Sequence, residues 1–229
     1  ASDVYKRQVE EAFDRGIPVI VVDRKIHSDR YTAFIGADNF MIGKTIGEYI
    51  GNRAAERTRM IELTGLSGST PAIERHAGLR SVLDTVPRTE VLAVEDAAWG
   101  RDEAMAITDS LLALYPHVDL IFAHNDRMAY GAYLAAKRRG REQEISFIGI
   151  DAVPGKNNGV ELVTNGILDA TFIYPTEGDK VIRMAVDILE GRSFPRETIL
   201  RTAIVDPTNA RLMLSLIHIS EPTRLDVIS

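Results

Sequence analysis

The strongest constraint on the fold lies in residues 120–151. Two apolar runs of strand type, 120–123 and 145–150, each stop at a small polar cluster, and a segment of helical period separates them. Strand, helix and strand in that order make a βαβ unit, whose strands are parallel and whose crossover covers one face of the sheet. In an open parallel sheet the ligand crevice lies beyond the carboxyl ends of the strands. Asn125 and Asp151 stand at two such ends, close in space and outside the core pattern. A ligand with several hydroxyls suits the space between them.

The alternation continues along the chain. Residues 9–15 read as the end of a helix stopped by Gly16, and 18–22 as a β-branched strand covered on both faces. A strand over 32–35 leads to a polar helix start at 36–39 and a helix over 40–50. Strands follow at 60–63 and 91–94, with helices at 70–83, where Pro71 sits in the first turn, and at 103–114. Beyond the opening unit, whose helix is 127–138, come a helix at 160–165, a strand at 168–174, a helix at 178–189 and a last strand at 198–205. Strict alternation predicts an α/β fold, a parallel sheet with helices on both faces.

Composition narrows the function classes. No run approaches the ~18 apolar residues of a membrane helix, so no membrane insertion is expected of this portion. Acids outnumber bases 33 to 27, for a net charge of -6, and no basic run appears; nucleic acid is not an expected partner. With no cysteine, disulfides and thiolate metal sites are excluded. The histidines, His27, His76, His117, His124 and His218, lack metal-ligand spacing and are expected on the surface or in loops. No metal or cofactor is expected. Gly65-Leu-Ser67-Gly-Ser69 lies between a strand and a helix, the setting of a nucleophile elbow, but Ser69 replaces the second glycine. It also lacks the lysine of a phosphate loop, and no Asp-then-His pair follows it. The chain reads as a non-enzyme.

Ala-His-Asn-Asp-Arg-Met-Ala-Tyr-Gly-Ala from Ala123, Phe-Ile-Gly-Ile-Asp ending at Asp151, Pro-Val-Ile-Val-Val-Asp23-Arg24 and Glu74-Arg75-His-Ala-Gly-Leu together resemble the ribose-type sugar-binding proteins. These are two-lobed periplasmic binding proteins of the type I fold, which implies parallel sheets flanked by helices and is shared with the effector domains of the lactose-repressor family. The resemblance covers 9–209. It implies a first lobe, incomplete here, from 1–37 and 175–201, a second lobe from 38–174, and a last crossing strand at 202–213. Earlier strands and helices precede 18–22 in the family, so very roughly 60 to 80 residues are expected to be missing. Residues 1–8 and 215–229 resemble translated sequencing adapter and are expected to be non-native ends.

Sugar recognition needs groups that make several hydrogen bonds at once, because a desolvated hydroxyl left unpaired costs about 1–3 kcal/mol. It also needs an apolar face for the C–H side of the ring. Asp23 and Arg24 follow a buried strand and read as an acceptor pair with a donor fork, or as a surface ion pair. Arg75 lies one to two turns into its helix, on a solvated face or toward the crevice, and Trp99 sits in a polar loop, able to cover the core edge or to stack on a ring. Asn125 has two donors and an acceptor, whereas Asp126 reads as the N-cap of the next helix; Asp151 suits either a ligand or a cap. The resemblance implies ligand roles for Asp23, Arg24, Arg75, Trp99, Asn125 and Asp151. Tyr174 stands where ribose binders usually carry glutamine, which argues against ribose itself.

The function so implied is binding of a monosaccharide or similar polyol between the lobes, coupled to lobe closure, in the periplasm. The partner would be a sugar transporter or the protein's own kinase module: the stretches from Asp151, Phe172 and Val205 resemble sugar-sensing ectodomains of hybrid two-component histidine kinases. The alternative is the effector-binding domain of a transcriptional repressor. Its usual Gly-His-Arg-Arg-Ile and Gly-Phe-Asp-Asp are absent.

Overall fold

The computed structural model describes residues 2–54 and 57–220, with side chains over 4–54 and 57–215. In chain order the elements are α1 (Ser2–Asp14), β1 (Ile20–Val22), β2 (Ala33–Ala37), α2 (Asn39–Arg53), β3 (Thr58–Thr64), α3 (Thr70–Leu83), β4 (Thr89–Asp96) and α4 (Arg101–Leu114). They continue as β5 (Leu120–Ala123), α5 (Asp126–Arg138), β6 (Ser146–Asp151), α6 (Gly159–Thr164), β7 (Ala170–Ile173), α7 (Gly178–Leu189), β8 (Glu197–Leu200), β9 (Ile204–Val205) and α8 (Ala210–Ser220). The chain divides into two units. The first holds residues up to Tyr49 with Gly68–Asp84 and Tyr174–Thr202; the second holds Ile50–Ser67, Thr85–Ile173 and the residues from Ala203.

Among the described residues, the first unit has one three-stranded sheet, ordered β1-β2-β8 and parallel throughout. Its centre, β2, reads Ala-Phe-Ile-Gly-Ala and is buried at every position, because neighbours flank it on both sides. Ala33 and Ile35 pack with Met184 and Leu200 on one face, and Phe34 packs with Val21 and Tyr31 on the other. Helices α2 and α3 cross so closely that a Cβ at Gly43 would lie 2.0 Å from the Arg75 carbonyl oxygen, and one at Gly78 would lie 2.0 Å from that of Phe40. This contact places α2 and α3 in the same unit.

The second unit's sheet runs β4-β3-β5-β6-β7-β9. Strand β5, Leu-Ile-Phe-Ala, is buried on both faces, as expected of a central parallel strand. Phe122, Phe147 and Phe172 are fully buried, and each contributes about 1.5–3 kcal/mol by leaving water. Gly131 of α5 lets the Arg101 carbonyl of α4 approach to 2.2 Å of where a Cβ would stand.

Several expectations need correction. The last strand is two short ones, β8 in one sheet and β9 in the other, and β9 pairs antiparallel with β7 through Thr171–Val205 and Phe172–Ile204. The alternation is therefore not strictly parallel to its end, and 202–213 includes the start of α8. Residues 38–49 and 68–84, expected in the second lobe, group with the first unit, where the glycine-lined helix crossing joins them. Residues 2–8, set aside as a non-native end, continue the helical backbone of α1, and 215–220 continue that of α8; 221–229 lie outside the described residues.

Candidate functional site

In the first unit the carboxyl ends of β1 and β2 carry the polar groups. Asp23 follows β1 with a left-handed φ of 70°, and its amide donates to the Ile35 carbonyl (3.0 Å), fixing the strand end to β2. The Tyr174 hydroxyl donates to the Asp23 carboxylate. Burial first, then the bond to Asp23 and its charge, push the Tyr174 phenol far above the ordinary tyrosine range. Arg75, only 4% exposed, donates from Nε to Asn39 Oδ1 (2.9 Å) and lays its guanidinium over the Tyr174 ring, 4.9 Å from the centroid.

The start of α2 explains why Asn39 is available. Asp38 does the capping, accepting from the Met41 amide (2.9 Å). Asn39, the first helical residue, turns inward and is 2% exposed. Beside it is a depression of about 170 Å³ whose lining includes Asp23, Asn39, Thr70 and Glu74. Burial and then the nearby Asp38 raise the Glu74 carboxyl above its usual range. Arg24 stands apart: it is exposed and 3.8 Å from Asp23, a surface pair of little energetic weight.

In the second unit, β4 and β5 lie on opposite sides of β3, so the chain reverses its progress across the sheet there. The crevice of such a sheet opens at that switch point. Trp99 follows β4, Gly65 follows β3, Asn125 follows β5 and Asp151 ends β6. The indole of Trp99 rests on the backbone of Gly65, where a Cβ would come within 2.2 Å of the ring. That is the role of this glycine, rather than a nucleophile turn. Behind it, His124 and Glu62 form a pair with both side chains 0% exposed, Nε2 to Oε1 being 2.9 Å. The Gly65 amide donates to Nδ1 of His124 (3.4 Å), which leaves the ring proton on Nε2, facing Glu62. His124 lies in the loop between β5 and α5, one of the two expected settings, but it is buried in the floor under Trp99, with ring centroids 6.4 Å apart.

The capping assignment is reversed. Asn125 is the N-cap of α5, accepting from the Met128 amide (2.8 Å), while its Nδ2 donates to the Trp99 carbonyl (3.3 Å). Asp126, expected as the cap, is the first helical residue and buried; its Oδ2 accepts from the Ala152 amide (2.8 Å). Gly149 and Gly159 make room for that carboxylate, since a Cβ at either would lie 2.2 or 2.0 Å from its oxygens. The bond pins the chain directly after Asp151, where Asp151 (φ 124°) and Ala152 (φ 51°) are both left-handed.

The structure brings Asp23, Arg75 and Tyr174 together in one unit, and Trp99 and Asn125 in the other, where β6 carries Asp151 beside β5. Of the seven non-glycine residues with positive φ among the described residues, Asp23, Trp99 and Asp151 are three. Such conformations cost about 1–3 kcal/mol each and gather at functional sites. Asn39, the Glu62–His124 pair and the long-range use of Asp126 were not read from sequence. Asn39 directly after a capping Asp was the one available signal.

Parallel strands with polar and aromatic groups at their carboxyl ends define an α/β domain of solute-binding type. The family model for the periplasmic binding protein domain matches residues 2–193, and the chain belongs to that family. The ribose import binding protein of Escherichia coli (strain K12) is 32% identical over 192 residues, 83% of this chain and 63% of the relative, so the chain spans less than two thirds of that protein. Among solved structures, the fructose binding periplasmic domain of a hybrid two component system is 55% identical with a TM-score of 0.90, covering 93% of this chain and 71% of that one. A solute binding protein of an ABC transporter from Bacillus halodurans C-125 with bound myo-inositol is 26% identical with a TM-score of 0.84, covering 90% and 72%.

Proposed function

We propose that this protein binds a monosaccharide, with a fructose-like hexose as its preferred ligand, and is the periplasmic sensor portion of a membrane histidine kinase. The observation that carries the reading is the Asp23–Tyr174–Arg75 cluster, an acceptor and a donor held ready beside one aromatic ring, as hydroxyl recognition requires. Trp99 and Asp151 offer an aromatic face and an acceptor of the same chemistry. The 55% identity to a fructose binding domain of a two-component system supports both the ligand and the output. Tyr174 supports a sugar other than ribose. Nothing in this reading asks for catalysis; the protein would signal because a bound sugar favours the conformation it binds more tightly. Among the described residues no helix is long and apolar enough to cross a membrane.

A second reading, the receptor of a sugar importer, is favoured by the ribose import relatives. The test is a thermal melt with D-fructose, D-ribose and myo-inositol, followed by calorimetry. At a sugar concentration 100 times Kd, stabilisation of about 2.7 kcal/mol is expected, with fructose acting at the lowest concentration. A melting temperature indifferent to every sugar defeats the proposal. Arg75→Ala and Asp151→Ala are each expected to abolish the shift.

A further inference from the structure

Arg75 and Asn39 are both almost wholly buried, and the Nε of Arg75 donates to the amide oxygen of Asn39. Tyr174, on whose ring the guanidinium lies, donates to Asp23. With Nε held by Asn39 and the flat face lying on Tyr174, the plane of the fork is set before any ligand arrives. Groups ordered in advance do not lose that freedom on binding.

We infer that Asn39 is a positioning residue of the sugar site, acting through Arg75 and fixing the plane in which its guanidinium meets ligand hydroxyls. The inference rests on the sugar-binding reading above. Asn39 governs affinity and selectivity through the plane of the guanidinium.

The test combines a ligand-free measurement with a double-mutant cycle. In NMR spectra of the sugar-free protein, the Nε–H signal of Arg75 is expected to exchange slowly in the wild type and in Asn39→Asp, which keeps the acceptor, and rapidly in Asn39→Ala. In calorimetry with D-fructose, Asn39→Ala is expected to weaken binding about tenfold or more, the scale of a hydrogen bond to a charged group. Asn39→Asp, which restores the acceptor but adds charge, is expected to recover part of that loss. In an Arg75→Lys background, still able to bind, Asn39→Ala is expected to cost less than about twofold, as coupled residues require. Full additivity, or unchanged affinity in Asn39→Ala once its Arg75 signal is lost, overturns the inference and leaves Asn39 a packing residue. A wild type that binds none of the sugars sinks the parent reading and this one together, whereas the NMR comparison still reports whether Asn39 holds Arg75.

Discussion

Tyr174 is held protonated by burial and by the carboxylate it faces, with Arg75 opposing them only in part. Its folded pKa is raised, so its contribution to stability is complete below the ordinary tyrosine value near 10 and is lost as pH climbs through the elevated one. Melting temperatures of wild type and Tyr174→Phe should therefore differ by a constant amount up to about pH 10, and the gap should narrow as the pH rises beyond it. A gap that instead widens in alkali would contradict the assignment. The identity of this residue was legible in sequence, and so was its departure from the ribose pattern. The bond to Asp23 was not, because 151 positions separate the partners. The Asn125-Asp126 order failed for a related reason. Either residue can cap a helix, and what decides is the need of the Ala152 amide, 26 residues away, for a buried acceptor.

At the scale of elements, periodicity and punctuation carried most of the reading: α3, α7 and β5 start and end where pattern, proline and glycine placed them. The terminal pairing did not follow, since two residues of β9 against β7 leave no period to detect. Nor did the tight crossing of α2 on α3, because sequence does not say which helical glycine faces a neighbour's carbonyl. That crossing carries Arg75 and gives a prediction. Gly78→Ala sets a methyl against the Phe40 carbonyl and should destabilise the protein by about 1–3 kcal/mol in denaturant melts. Sugar affinity should fall with it, as α3 shifts relative to Asn39. Gly140→Ala, where nothing lies within 4 Å but φ is 67°, should cost stability and leave affinity alone.

Across the whole molecule, the alternation showed helix-flanked parallel strands and the resemblance implied their division between lobes, while the membership of each unit is set by side-to-side packing. The cores are unequal: the second unit's reaches from Ile61 and Leu63 through Phe147 to Val205, and the first unit's are small groups about β2. Hydrogen exchange should report this. Amides of β5 are expected to be the slowest and those of the short strand β1 faster by about 100-fold or more, as opening free energy follows core size. Equal protection in β1 and β5 would argue against separate cores. Finally, the backbone after β6 bends as glycine prefers, yet aspartate occupies it. Asp151→Gly should melt at or above the wild type while losing the sugar response proposed above, so a side chain costly to the fold would be kept for what it binds.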